Sequence, residues 1–126
     1  MKTLISSADT PAAVGPYSPG LSVGEWIFLS GQGGFDPATG KMISDDIAEQ
    51  TAQTLRNIEV LLEASGASLD NVVSCLVHLT DLSQFEAFNA IYEKQFSGTK
   101  PTRTTVRADL VAGMRVEITA VAGAQR

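Results

Sequence analysis

The 126-residue sequence is poor in the residues that hold metals and disulfides: it has one cysteine, Cys75, and one histidine, His78. A single cysteine cannot form an intrachain disulfide, and the two residues together are too few soft ligands for a zinc or iron–sulfur site. A metal-free protein of a reducing, cytoplasmic compartment is therefore expected. Positive charge is also scarce, with nine Lys and Arg against fourteen Asp and Glu and a net charge of -5. That balance has the wrong sign for neutralising a phosphate backbone, so no nucleic-acid partner is expected. Long apolar runs are missing as well. The longest, Trp26–Leu29, has four residues, against the ~20 needed to cross a bilayer, so no membrane span is expected. The opening Met1–Ser7 carries one positive charge and then turns polar. It lacks the apolar stretch of a secretory signal, and the mature chain is expected to begin here. Repeats, low-complexity tracts and linkers are missing too, which leaves one domain, residues 1–126. With 44% hydrophobic residues, a chain of this size can bury roughly two-thirds of its unfolded surface around one core.

Lys2–Ser6 reads as a first strand, followed by a Gly- and Pro-rich loop from Asp9 to Gly20 that carries Tyr17. Leu21–Val23 and Trp26–Ser30 read as strands joined at Gly24–Glu25, the second apolar enough to be buried on both faces. Asp36–Pro37–Ala38–Thr39–Gly40 is a turn sequence. A helix follows, with Asp46 as N-cap and Glu49 completing a capping box. Its apolar stripe is Ile47, Thr51, Leu55, Ile58, Leu61 and Leu62, and Gly66 ends it. Val72–Leu79 reads as a strand whose core face carries Val73, Cys75, Val77 and Leu79, with Val72, Ser74, Leu76 and His78 opposite. A second helix spans about Ser83–Phe96, with Phe85, Phe88, Tyr92 and Phe96 at helical spacing, and it carries Asn89. Thr104–Ala108 and Arg115–Val121 read as final strands joined by a short turn containing Gly113. The order implies an α/β (α+β) fold with one sheet and both helices packed on one face. The other, half-apolar face needs cover, and another subunit is its expected source.

Several chemical motifs fail on inspection. Gly34–Lys41 has five residues between its glycines instead of the four of a phosphate loop, and Met42 stands where Ser or Thr is needed. Gly31–Gln32–Gly33–Gly34 follows a strand without opening a helix, so it is no dinucleotide fingerprint. Cys75 and His78 are three apart on a strand and point to opposite faces, so they are no thiol dyad. Cys75 reads as a packed core residue and His78 as buried or at an interface. Asp45–Asp46 reads as a helix start.

Pro101–Thr102–Arg103–Thr104–Thr105–Val106 and Val116–Glu117–Ile118 are more unusual. In the expected hairpin, centred near Ala112, Glu117 lies opposite Arg107 and Arg103 opposite Val121. That register allows a cross-strand Glu117–Arg107 pair with Arg103 solvated. It also separates Arg103 from Glu117 by four residues along the sheet, or ~13 Å.

With Gly15–Pro16–Tyr17–Ser18, Leu29–Ser30–Gly31–Gln32 and Asn89–Ala90–Ile91–Tyr92, these two segments make five motifs in order. Together they resemble the reactive-intermediate deaminase (Rid, YjgF-like) family over almost the whole chain. The turn Leu110–Val111–Ala112–Gly113 departs from that pattern in lacking a proline after the leucine. The resemblance implies a chorismate-mutase-like subunit that assembles as a homotrimer, with sheets inside, helices outside and clefts between neighbours. It implies cofactor-free hydrolysis of 2-imino acids or their enamines, such as 2-iminobutanoate and 2-iminopropanoate, to 2-keto acids and ammonia. Carried over residue by residue, Arg103 would take the substrate carboxylate, Glu117 would activate water and pass on a proton, and Tyr17 would close the cleft. Ser30, Gly31, Asn89 and Thr105 would bind the substrate or the water. Two alternatives stay open: a non-catalytic small-molecule- or protein-binding trimer acting as a regulator or holdase, and a deaminase for a pathway-specific aminoacrylate or aminomuconate.

Overall fold

A computed structural model describes residues 1–124; the last two residues of the expected 1–126 domain lie outside the described region. Six strands form one mixed sheet: β1 (Lys2–Ile5), β2 (Gly20–Val23), β3 (Trp26–Leu29), β4 (Val72–Leu79), β5 (Thr102–Arg107) and β6 (Val116–Gly123). Two helices, α1 (Ile47–Ala64) and α2 (Phe85–Gln95), connect them. The strand order is β1-β2-β3-β6-β4-β5, antiparallel throughout except for the parallel β4–β5 pair. Among the described residues, no helix is long and apolar enough to cross a membrane.

Local sequence explains the helices. The Asp46 carboxylate accepts from the Glu49 amide at 2.9 Å, satisfying one of the free N–H groups of the first turn of α1. Gly66, at φ 82°, supplies the left-handed residue that ends it. Asp81 caps a 3₁₀ turn, Leu82–Gln84, that leads into α2, so the expected helix over 83–96 is split into this turn and a shorter α-helix. Leu55, Ile58, Leu61 and Leu62 of α1 and Phe88, Tyr92 and Phe96 at α2 meet Cys75, Val77, Leu79, Val116, Ile118 and Ala120 of the sheet in one buried core.

The last two strands do not form the expected hairpin. β5 pairs in parallel with β4, and β6 inserts between β3 and β4. The connections β3–α1–β4 and β4–α2–β5 are crossovers that move in one direction along the sheet, which puts both helices on the same face. The first skips a strand position, and β6 returns to fill it. Glu117 therefore lies opposite His78 rather than Arg107, and Arg103 opposite Cys75 rather than Val121.

Two face assignments also change. A register irregularity between Val72 and Ser74 turns Val72 into the core and leaves Val73 exposed, the reverse of simple alternation. β3 alternates instead of being buried on both sides: Ile27 and Leu29 are buried, while Trp26 and Phe28 are 49% and 46% exposed. They stand on the helix-free face, where Leu4, Leu76 and Val106 are exposed as well. The half-apolar open face expected from the sequence is thus present, with β3 contributing and Val72 absent from it.

Candidate active site

Arg103 enters from β5, the outer strand beside β4, on the same face as Cys75 and hence toward the helices. One N–H of its guanidinium donates to Asn89 Oδ1 at 2.8 Å. Its Cζ lies 4.9 Å from the Tyr92 ring centroid and 5.5 Å from those of Phe85 and Phe88. Such a contact contributes about 0.5–2 kcal/mol depending on desolvation. Phe85, Phe88, Asn89 and Tyr92 meet it because residues three and four apart share one face of a helix. Among the described residues Arg103 pairs with no carboxylate. Of its five donors one is used, and the others remain for a ligand. It opens onto a cavity of about 470 Å³ bounded by Asn89, Tyr92, Glu93, Lys100 and Pro101. Lys100 is tied down, donating to the carbonyls of Glu93 and Phe96 at the end of α2. Thr105 shares the Arg103 face, and its Oγ1 is buried without a hydrogen-bond partner.

Below this platform sits Cys75. Burial pushes its thiol above the ordinary value of 9.0, with the Tyr92 hydroxyl and the Arg103 charge offsetting part of the effect. Burial, and next the neighbouring Cys75, raise the Tyr92 hydroxyl above its ordinary range. Although the two groups are neighbours, the Tyr92 hydroxyl makes no hydrogen bond of acceptable geometry. Cys75 is therefore a packed, protonated thiol rather than a nucleophile.

The second group of residues lies on the open face. Glu117, on β6, packs against Gly31, just beyond β3. A Cβ at Gly31 would stand 2.7 Å from Glu117 Cδ, so only glycine permits this approach. Backbone bonds between Gln32 and Ile118, at 2.9 and 3.0 Å, fix the two segments together. Ser30 Oγ donates to the Ser18 carbonyl at 2.7 Å and the Ser30 amide to Pro19 at 3.0 Å, anchoring the Tyr17 loop to the end of β3. Tyr17 is half exposed, and its hydroxyl accepts from the Val14 amide at 3.2 Å.

The structure thus gathers Arg103, Asn89 and Thr105 at one place, and Glu117, Gly31, Ser30 and the Tyr17 loop at another. Arg103 and Glu117 point to opposite faces. Three residues of strand and two strand spacings separate their Cα atoms, roughly 14 Å. The separation expected from the sequence survives although the hairpin behind it does not. The helical spacing of 85, 88, 89 and 92 puts Asn89 on the same face as the aromatic residues, but that Arg103 sits against this face depends on β5 lying beside β4. The contact between Glu117 and His78 was not anticipated, because it depends on β6 lying beside β4.

A single sheet backed by two helices, with Arg103 against the aromatic residues of α2 and the Glu117 carboxylate on the open face, defines a small α+β protein. The chain belongs to the family described as endoribonuclease L-PSP, whose sequence model matches residues 7–124, the Rid/YjgF-like group. It is 41% identical over 123 residues to a RutC family protein of Saccharolobus solfataricus, covering 97% of this chain and 98% of the relative. It is 40% identical over 123 residues to the 2-iminobutanoate/2-iminopropanoate deaminase of Homo sapiens, covering 97% and 90%. A solved structure from Yersinia pestis, described as a conserved Rid family protein of unknown function, superposes with a TM-score of 0.94 at 35% identity, covering 98% and 99% of the two chains. Deaminases therefore occur among its relatives.

Proposed function

We propose that this chain, acting as one domain over residues 1–126, hydrolyses 2-imino acids or their enamine tautomers to 2-keto acids and ammonia, with 2-iminobutanoate and 2-iminopropanoate as substrates. The observation that carries the reading is Arg103, held by Asn89 beside the aromatic rings of α2 with its remaining donors at a cavity. A planar guanidinium can take a carboxylate through two charge-assisted hydrogen bonds, which a lysine reproduces poorly. The protonated imine carbon is already electrophilic, so the protein supplies positioning and proton movement. Glu117 takes a proton from water as its oxygen bonds to the imine carbon. The proton then passes to nitrogen; as the C–N bond breaks with its electron pair going to nitrogen, the O–H bonding pair becomes the second bond of the C=O group, and the hydroxyl proton goes to Glu117 and from there to the departing ammonia. Tyr17 closes the cleft, while Ser30, the Gly31 backbone and Thr105 line it.

Because Arg103 and Glu117 point to opposite faces of one sheet, the complete site requires Arg103 of one subunit and Glu117 of its neighbour. The exposed Leu4, Trp26, Phe28, Leu76 and Val106 offer an apolar face for a homotrimer. The net charge of -5 favours a small-molecule substrate over RNA, despite the description of the family model. A cytoplasmic location and chemistry without a cofactor complete the reading.

The test is hydrolysis of freshly generated 2-iminobutanoate, followed by semicarbazide trapping, with wild type and Arg103→Ala side by side. Wild type is expected to reduce the trapped signal and speed keto-acid formation, and the variant to match buffer. Equal rates for wild type and buffer would overturn the proposal.

A further inference from the structure

The Glu117 carboxylate is held from two sides. On one, Gly31 admits it so closely that a Cβ there would lie 2.9 Å from Oε2. On the other, His78 Nδ1 stands 3.5 Å from Oε1. Oε2 is thereby directed toward Gly31 and Oε1 toward the imidazole. The closeness is set by the sheet itself, since His78 and Glu117 are directly opposed in the β4–β6 register. Nδ1 is shielded from solvent and makes no hydrogen bond, so the ion-pair distance marks a contact at the outer edge of hydrogen-bond range rather than a formed bond. A movement of a few tenths of an ångström completes it. A shielded ring nitrogen facing a carboxylate is satisfied only when it carries the proton and donates it to that oxygen.

We propose that His78 is the positioning residue for Glu117: its Nδ1–H holds Oε1, fixes the carboxylate plane, and leaves Oε2 as the oxygen that accepts the proton of the attacking water. The inference rests on the reading of Glu117 as the proton-transfer group. It is the arrangement of a reacting group oriented by a second one, which in turn is fixed by the fold. Gly31 bounds the carboxylate by close approach but has no side chain to donate a hydrogen bond, so the imidazole is the group that can fix Oε1.

The protein has one histidine, so every imidazole nitrogen signal in a ¹⁵N NMR spectrum of the full chain belongs to His78. The neutral ring is expected to be protonated at Nδ1 in wild type and at Nε2 in Glu117→Ala. In kinetics, His78→Phe keeps a ring of similar size and removes the donor. It is expected to lower kcat roughly tenfold to a hundredfold with KM unchanged. His78→Asn, whose amide nitrogen takes the place of Nδ1, should recover most of that loss. A merely structural role would reverse the order, with Phe active and Asn impaired; that result, or a wild-type ring protonated at Nε2, overturns the proposal. Glu117→Gln separates the two readings. If it is inactive while His78→Phe is fully active, the His78 assignment alone fails. If it is fully active, the reading of Glu117 fails and this proposal with it. Should His78→Phe not fold, the tautomer and the Asn variant decide.

Discussion

Gly31→Ala tests the geometry around Glu117 without removing any polar group. Gly31 is not among the glycines with positive φ, so alanine fits its backbone. The new Cβ would lie 2.7 Å from Glu117 Cδ, 2.9 Å from Oε2 and 3.0 Å from Cγ. Carbon atoms pack at about 3.5–4.0 Å, so the carboxylate must move by roughly 1 Å. What moves is the far end of a side chain that is 27% exposed, so the cost in stability should fall below the ~1–3 kcal/mol typical of overpacking a closed core. The cost in rate should be much larger. A displacement of this size at a reacting group costs roughly a hundredfold, or about 2.7 kcal/mol of barrier. Semicarbazide trapping of 2-iminobutanoate gives kcat and KM, and a thermal melt of the same sample gives stability. The expectation is a hundredfold fall in kcat, an unchanged KM because the Arg103 platform is untouched, and a melt close to wild type. Wild-type kcat would refute the assignment of Glu117, and collapse of the melt would refute the claim that its side chain absorbs the displacement.

Arg103→Lys keeps the charge but loses the planar fork and much of the stacking, so KM for the imino acid should rise at least tenfold, measured in the same assay. Mixing inactive Arg103→Ala and Glu117→Gln chains in equal amounts, then unfolding and refolding them together, should restore about a quarter of wild-type activity if each site draws its two residues from different subunits of a symmetric ring; no recovery would place both residues in one subunit. Gln50 is fully buried and bonds the Ser44 and Gly113 carbonyls and the Arg115 amide at 2.8, 3.1 and 2.8 Å. Gln50→Leu leaves those groups unpaired and should cost at least the ~1–3 kcal/mol of one lost buried partner, read from urea unfolding. The Cys75 thiol and the Tyr92 hydroxyl are both raised by burial. Above pH 9 the unfolded chain therefore gives up protons that the folded chain keeps. Stability should hold below that pH and fall as pH climbs through the range where the unfolded groups ionise, seen as a dropping urea midpoint that Cys75→Ala flattens in part.

Much of the architecture is local in origin, and those parts were legible. The Asp46 cap, the stripe of α1, the glycine that ends it and the aromatic face of α2 are set by neighbours within a turn or two. The five motifs around Tyr17, Ser30, Asn89, Arg103 and Glu117 were enough to name the family. Strand neighbours were not legible. β5 and β6 are adjacent in sequence with a turn-like segment between them, and local patterning rates a hairpin as the simplest outcome. The vacant position left between β3 and β4 by the first crossover decided otherwise, and only the whole sheet contains that information. The irregularity at Val72–Ser74 is of the same kind, since pairing with β6 rather than alternation within β4 sets which residue faces the core.

The same division runs through the site. Sequence by itself determined which residue types are available: Arg103 in a Thr-rich strand, Glu117 between Val116 and Ile118, one histidine, a glycine after Ser30. Tertiary structure alone decided that the Arg103 guanidinium sits among three aromatic rings, that Glu117 meets Gly31 and His78, and that the two groups face opposite ways. Side-chain period along a strand is a property of the chain, whereas contact across strands depends on which strands become neighbours. That is fixed only when the whole core closes.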